Sequence, residues 1–310
     1  MPRDAALAPA PPRTPERTLG FDLGAVAICS IIWGTTWFVI TFQLGVVPPV
    51  WSVAYRFALA ALALVAWCLL TRQKLGLTPA QHLNAIGQGI FTFALDYSLV
   101  YFAETRVLSG VVAVVFASLA LFNLITFRLV LGRRASPLAW AGAAVGVVGV
   151  AVLSYGELAR ADMSPAAVIG LGLAFLGVLT ACVGNLFAYR QEAAGASVAA
   201  STAWAMAYGA GALALYALLT GLPPAFDPSA AYVLSLVYLA LFGSVVAFVV
   251  YYALARRRSY TFASYIAALT PPTAMLASAL FEGARWGLPA LAGLALVLSG
   301  QVLLIKASRT

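Results

Sequence analysis

Hydrophobic residues occur in long runs along the chain, separated by short segments rich in polar residues, proline and glycine. Each run is about 20 residues long, which is the length that an α-helix needs to cross a bilayer. The runs do not alternate between apolar and polar positions, as the strands of a membrane barrel would. The pattern predicts ten spans, at about 21–42, 49–71, 84–103, 107–131, 137–155, 165–190, 197–220, 230–255, 260–281 and 287–306.

The composition supports a polytopic α-helical membrane protein. Hydrophobic residues make up 63% of the 310 residues and charged residues only 9%, whereas a soluble domain has about 25% charged residues. Cys29, Cys68 and Cys182 fall inside predicted spans without C-x-x-C spacing. We therefore expect buried thiols that act as small apolar side chains, with no disulfide, no metal and no cofactor.

The first 20 residues differ from the rest, because they combine several prolines with Arg3, Arg13 and Arg17. This segment is predicted to be a disordered basic head. A cleavable signal peptide is not expected, because the apolar run from Phe21 is too long and continues as a span.

Basic residues distinguish the two sides of the membrane. With the N-terminus placed in the cytoplasm, thirteen Lys and Arg residues fall in inner segments and three in outer loops. The inner ones are Arg3, Arg13, Arg17, Arg72, Lys74, Arg133, Arg134, Arg190, Arg256, Arg257, Arg258, Lys306 and Arg309, and the outer ones are Arg106, Arg160 and Arg285. This bias predicts that both termini are cytoplasmic. It also explains the net charge of +8 without a nucleic-acid partner.

The chain shows a weak internal repeat when it is shifted by 151 residues. Gly142 then falls on Gly293 and Gly149 on Gly300, and the boundaries of spans 3–5 fall on those of spans 8–10. A unit of five spans is odd, so its second copy must enter the membrane from the opposite side. Such inverted repeats hold their substrate near the midplane in secondary transporters. The predicted units are residues 21–155 and 156–310.

Three stretches resemble a known family. They are "SIIWGTTWFVI", "PPVWSVAYRFALAALAL" and "ALTPPTAMLASALF". They look like the corresponding parts of EamA-type drug/metabolite transporters, and most like the YddG-type amino-acid exporters of bacterial inner membranes. The resemblance covers about residues 21–306. It implies a secondary transporter that exports amino acids and related small metabolites by alternating access.

Two charges lie inside predicted spans, where a charge is costly and needs a reason. Arg56 in span 2 and Asp96 in span 3 both lie seven residues from the outer face. At 1.5 Å per residue this is a depth of roughly 10 Å. We expect the two to pair or to face one outer cavity. The alternative is that Arg56 extends alone to the lipid headgroups.

Aromatic side chains are candidates for a substrate pocket or for the interfacial belt. Those predicted deepest, and therefore assigned to a pocket, are Trp33, Tyr97, Trp204 and Tyr265. Those nearer the span ends, for which the belt is favoured, are Tyr101, Tyr251 and Tyr252.

Uncharged polar groups and prolines add further candidates. Asn185 and Ser244 could line the path or form hydrogen bonds between helices. Pro271 and Pro272 interrupt span 9, where they predict a hinge or, alternatively, a static kink. His82 is assigned to a solvated cytoplasmic loop.

These features favour a secondary transporter over an enzyme, since the chain has one His and shows no cluster of nucleophiles, acids and bases. The resemblance makes that transporter an exporter. No G-x-x-x-x-G-K-[ST] run is present, which excludes the usual phosphate-binding loop. The predicted function is export of amino acids, including aromatic ones, by a monomer in the bacterial inner membrane. The alternative is a multidrug or toxic-cation efflux transporter on the same fold. Proton coupling and facilitated transport both stay open.

Overall fold

The computed structural model describes residues 19–160, 164–257 and 260–307. Side chains are described for these residues except those at positions 19, 157, 158, 160, 255, 256, 260–265, 267, 268 and 305. Almost all of the predicted N-terminal head therefore lies outside the described part. Every element within the described part is helical.

The described residues of the first half form seven α-helices. They are α1 (Leu19–Ile40), α2 (Pro49–Leu70), α3 (Pro79–Gln88), α4 (Tyr97–Glu104), α5 (Ser109–Val115), α6 (Leu119–Leu131) and α7 (Pro137–Arg160). A π-helical segment, Gly89–Asp96, joins α3 to α4, and a 3₁₀ turn, Phe116–Ser118, joins α5 to α6. A second 3₁₀ turn, Thr41–Gln43, follows α1.

The second half contains six α-helices among its described residues. They are α8 (Pro165–Ala193), α9 (Val198–Leu219), α10 (Ala230–Tyr238), α11 (Ala247–Arg257), α12 (Tyr260–Phe281) and α13 (Leu288–Ala307). Another π-helical segment, Leu239–Val246, joins α10 to α11. The two π-helical segments occupy corresponding places in the two halves.

Seven helical stretches in the described residues are long and apolar enough to cross a membrane, and shorter apolar helices accompany them. The shorter ones are Leu269–Phe281 and Leu288–Leu304. The prediction of an all-helical membrane protein is therefore confirmed, and the count of ten spans in two repeats stays a prediction. The three cysteines are free and buried.

The start of α3 differs from the prediction by five residues. The helix begins at Pro79 because Thr78 and Gln81 form a capping box: Gln81 N donates to Thr78 Oγ1 over 3.3 Å, and Thr78 N donates to Gln81 Oε1 over 2.9 Å. Such a box satisfies two free donors at a helix start. His82 consequently lies in α3, and its assignment to a loop was wrong.

Glycines bring α7 and α13 into backbone contact. A Cβ placed on Gly142 would lie 2.7 Å from the carbonyl oxygen of Gly300, and one on Gly149 would lie 2.6 Å from that of Gly293. The pairing runs in opposite directions along the two helices, so they are antiparallel. Only glycine permits this approach, since any side chain would overlap the opposite backbone.

A second close contact joins the halves where α1 crosses α12. A Cβ on Gly34 would lie 2.4 Å from the Cβ of Thr273 and 3.3 Å from the carbonyl oxygen of Thr270. The glycine of the "WGTTW" stretch therefore lets α1 pack beside Pro271 and Pro272. α2 packs in turn against α9. These contacts enclose the space between the halves.

Candidate functional site

A cavity of about 170 Å³ lies between helices of both halves. The first half contributes Trp33, Thr36, Trp37, Ile40, Thr92, Asp96, Tyr97, Val100, Ala113, Phe116, Ala117 and Leu119. The second half contributes Ala181, Asn185, Phe248, Tyr251, Tyr252, Thr270 and Pro271. The wall is thus mainly aromatic and aliphatic, with a few polar groups at fixed positions.

Three polar side chains of the wall carry buried atoms without a hydrogen-bond partner among the described residues. They are Trp37 through Nε1, Thr92 through Oγ1 and Asp96 through Oδ1. A buried polar atom without a partner costs roughly 1–3 kcal/mol. A small polar ligand in the cavity could form hydrogen bonds with these three atoms.

Arg56 lies behind this wall and is fully buried. Its Nε donates to Ser244 Oγ over 3.0 Å, and its guanidinium carbon lies 4.5 Å from the ring centroid of Tyr97, which does line the cavity. The positive charge is therefore held against an aromatic face, a favourable arrangement in a desolvated site. The alternative in which Arg56 extends to the headgroups is wrong, because its side chain has 0% exposure.

Arg56 and Asp96 do not form an ion pair. Within the described part of the chain, both Nη atoms of Arg56 and Oδ1 of Asp96 have no hydrogen-bond partner. Asp96 lines the cavity and Arg56 does not. The charge of Arg56 is nonetheless close enough to act on Asp96 electrostatically. The two predicted residues are thus neighbours across the cavity wall.

Trp33 connects the wall to the second π-helical segment. Its Nε1 donates to the carbonyl oxygen of Gly243 over 3.1 Å, and its ring centroid lies 5.3 Å from those of Phe248 and Tyr251. A π-helix departs from the regular α-helical hydrogen-bond ladder and often marks a functional position. Trp33 therefore joins α1 to the π-helical segment by a hydrogen bond and also lines the cavity.

Asn185 lies in the wall and also bonds between helices. Its Nδ2 donates to Asn123 Oδ1 over 3.3 Å, which joins α8 to α6. Asn185 therefore does both of the things considered from the sequence: it lines the cavity and it forms a hydrogen bond between helices.

Trp204 lies away from the cavity. Its Nε1 donates to the carbonyl oxygen of Leu75 over 2.9 Å, and its ring stacks on Tyr208 at 5.7 Å and meets His82 edge-on at 5.0 Å. Nδ1 of His82 and the hydroxyl of Tyr208 are hydrogen-bonded at 2.9 Å. Trp204 and His82 thus belong to an aromatic cluster between α3 and α9.

The prolines lie within α12, which continues through both of them. Pro271 lines the cavity, and Pro272 follows it. On either side, Thr270 Oγ1 donates to the carbonyl oxygen of Ile266 and Thr273 Oγ1 to that of Leu269. Tyr265 lies in α12, but its side chain is outside the described residues.

The sequence profile of the EamA-like transporter family matches this chain twice, at residues 22–155 and at residues 168–306. These matches cover most of the chain.

The chain belongs to the EamA-like transporter family.

Several relatives of this EamA-like transporter are known. The uncharacterized inner membrane transporter YedA of Escherichia coli is 32% identical over 255 residues, which is 82% of this chain and 80% of that protein. Protein PagO of Salmonella typhimurium is 33% identical over 125 residues, or 40% of each chain. A solved crystal structure superposes with a TM-score of 0.70 at 20% identity, covering 94% of this chain and 98% of that one. At that identity the likeness shows the fold alone.

Sequence reasoning missed part of the transporter's cavity. Tyr252 is 7% exposed and Tyr251 is partly buried, and both line the cavity, so their assignment to an interfacial belt was wrong. Tyr101 is buried as well. Gln88 Nε2 donates to the hydroxyl of Tyr252 over 3.1 Å, and Gln191 Nε2 donates to Gln88 Oε1 over 3.1 Å. Four residues separate the second π-helical segment from the two tyrosines, and the segment is a feature of the structure that the sequence pattern did not show.

Proposed function

We propose that this transporter exports amino acids, including aromatic ones, and related small metabolites from the cytoplasm across the bacterial inner membrane by alternating access. Its EamA membership and its relative YedA, an inner membrane transporter, support the general class. The substrate class rests on the chemistry of the cavity.

The observation that carries the proposal is the pair formed by Asp96 and Trp37 in one aromatic-lined space. Asp96 offers an unpartnered carboxylate oxygen, and Trp37 offers an unpartnered indole N–H. An amino acid has a cationic ammonium group that suits the first and an anionic carboxylate that suits the second. Its side chain would contact Tyr97, Phe116 and Phe248, and aromatic faces favour flat apolar groups.

The size of the cavity supports a small substrate. Its volume of about 170 Å³ is below the roughly 300–1,000 Å³ typical of pockets for drug-sized ligands. A single amino acid is therefore a better match than a bulky polycyclic drug.

Alternating access is supported by the relation between the halves. Helices from both enclose the cavity, and two separate family matches divide the chain near its middle. Gly142 and Gly149 of α7 meet Gly300 and Gly293 of α13, the same four positions that the shift of 151 residues relates to one another. Antiparallel packing of equivalent helices is expected of an inverted repeat. The proposed units are residues 21–155 and 156–310, with both termini in the cytoplasm.

The test is transport by purified protein in liposomes. Radiolabelled phenylalanine and a panel of other amino acids are expected to exchange across the membrane, and Asp96→Asn is expected to lose most of this exchange. The matched control is Asp227→Asn, which changes a loop carboxylate that is not among the residues lining the cavity. If no amino acid is exchanged by the unaltered protein, the proposed substrate class is wrong.

A second candidate is efflux of organic cations. It is favoured by one observation: among the described residues, the cavity wall contains the acidic Asp96 and no arginine or lysine, since Arg56 packs against Tyr97 and does not line the cavity. A lipophilic cation such as tetraphenylphosphonium could be bound by Asp96 and the aromatic faces. Uptake of this cation in the same liposomes, without exchange of amino acids, would favour the second candidate.

A further inference from the structure

Glu104 is a buried carboxylate at the end of α4, outside the residues that line the cavity. Its side chain is 8% exposed, and neither carboxylate oxygen has a hydrogen-bond partner among the described residues. The structure shows that it is enclosed, so its ionised form would lack both water and a direct partner.

Glu282 brings a second carboxylate to the same region. It follows α12, and its Oε2 accepts a hydrogen bond of 2.6 Å from Ser109 Oγ, whose residue is buried at the start of α5. The charge of Glu282 acts on Glu104 electrostatically. Two neighbouring carboxylates cannot both ionise without cost, and one of them tends to hold a proton.

The nearby positive charge cannot balance all the acids. Arg56 acts electrostatically on both Glu104 and Asp96, and its Nη atoms pair with neither. One arginine therefore acts on two buried carboxylates, those of Asp96 and Glu104, and the negative charge of Glu282 acts on Glu104 as well. An excess of negative charge in a desolvated region is expensive. Uptake of a proton removes the excess.

Within the part of the chain whose side chains are described, the other groups around Glu104 do not supply a second buried cation. Tyr101, one turn earlier on α4, is buried with a hydroxyl that lacks a partner within the described part. The side chain of Arg106 donates to the carbonyl oxygen of Phe102 and the hydroxyl of Thr105, and Arg285 is exposed. Of the helices packed on α4, α5 has no charged residue, and Arg190 and Glu192 of α8 lie in its last turn.

We propose that Glu104, together with Glu282 and Ser109, forms a proton-binding site separate from the substrate cavity, and that its proton is exchanged for the exported substrate. Binding converts the Glu104 carboxylate to the neutral acid, and release on the opposite side restores the carboxylate. The proton site stands on the contacts of Glu104 itself, and the exchange rests on the proposed export function. Arg56 acts electrostatically on Asp96 of the cavity and on Glu104 of the proton-binding site.

Infrared difference spectroscopy of the reconstituted protein tests proton binding without any substrate. Spectra are compared from about pH 9 to about pH 6, where an ordinary glutamate stays ionised. The unaltered protein is expected to show the carbonyl stretch of a protonated carboxyl group appearing as the pH falls. Because Asp96 is a second buried carboxylate, the comparison is made in Asp96→Asn protein, where Glu104→Gln is expected to lose the band and Asp227→Asn to keep it. A band that persists after Glu104→Gln, or that is missing before it, overturns the proposed site.

Glu282→Gln provides a second measurement that does not depend on folding of the Glu104 variant. Removing the neighbouring negative charge is expected to shift the midpoint of the Glu104 band to lower pH. An unchanged midpoint would mean that the two carboxylates do not act as a pair, and the site as proposed would be wrong.

The exchange is tested in liposomes with an imposed pH gradient. The gradient is expected to accelerate amino-acid transport by the unaltered protein and to leave Glu104→Gln unaffected. If the gradient accelerates both equally, or neither, proton exchange at Glu104 is excluded. Absence of amino-acid transport would instead count against the proposed substrate class, while the infrared result would still decide on the proton site.

Discussion

Arg56 Nε donates a hydrogen bond to Ser244 Oγ over 3.0 Å, and this bond joins α2 in the first half to the π-helical segment in the second. Ser244 Oγ donates in turn to the carbonyl oxygen of Leu239 over 2.9 Å. Both residues are fully buried. The serine thus links a buried charge to a carbonyl group of the widened helix.

Replacing Ser244 with alanine is expected to destabilise the protein. The change removes the acceptor of a charged donor, which costs about 1.5–3 kcal/mol for hydrogen bonds to charged groups. Thermal unfolding in detergent measures this as a lower melting temperature. Ser299→Ala is the matched control, because Ser299 lies on an exposed face of α13. Equal melting temperatures for the two variants would contradict the structural role given to the Arg56–Ser244 bond.

The glycine contact between α7 and α13 predicts a difference between two nearby glycines. Gly149→Ala places a Cβ 2.6 Å from the carbonyl oxygen of Gly293, whereas a Cβ on Gly146 meets nothing within 4 Å. Gly149→Ala is expected to destabilise the protein by about 1–3 kcal/mol through overpacking. Gly146→Ala is expected to be neutral or stabilising, since alanine is the better helix former. Chemical or thermal unfolding of the two variants checks this, and a stable Gly149→Ala protein would show that the helices are not in backbone contact.

Trp37 is expected to contribute to substrate affinity through its indole N–H. Trp37→Phe keeps an aromatic ring in the cavity and removes the donor, so KM should rise roughly fivefold, which corresponds to about 1 kcal/mol. The maximal rate should change less. Trp67→Phe serves as the control because the side chain of Trp67 is exposed on the surface of the protein and does not line the cavity. An unchanged KM for Trp37→Phe would argue against contact between its N–H and the substrate.

Trp204 is expected to affect stability and not affinity. Trp204→Phe removes the hydrogen bond to the Leu75 carbonyl oxygen but leaves the cavity wall intact. The loss is expected to be about 1 kcal/mol of stability, with KM within about twofold of the unaltered value. Trp33→Phe is the comparison. Because Trp33 lines the cavity, this substitution is expected to raise KM. A large rise in KM for Trp204→Phe would place Trp204 in contact with the substrate.

The local signals in the sequence were sufficient for the helices and for part of the cavity. Trp33, Asp96, Tyr97 and Asn185 were predicted from depth along their spans and Pro271 from its interruption of span 9, and all five lie in the cavity wall. Depth alone, however, does not determine which face of a helix meets the neighbouring helices. Trp204 was therefore assigned to the pocket although its side of α9 faces α3.

The two π-helical segments explain other differences. An extra residue in a turn rotates everything beyond it relative to a regular helix. Tyr251 and Tyr252 lie beyond such a segment, and they line the cavity although their position near the end of span 8 had favoured the interface.

The sequence alone determined the class of this protein, because apolar runs of membrane length, few charges and a family pattern do not depend on how the helices meet. It also determined where α7 and α13 could approach, since glycine is the only residue without a Cβ. The tertiary structure decided which polar groups share a space. It joined Arg56 to Ser244 and enclosed Glu104 beside Glu282, because burial and electrostatic environment are set by neighbours that are distant in the chain.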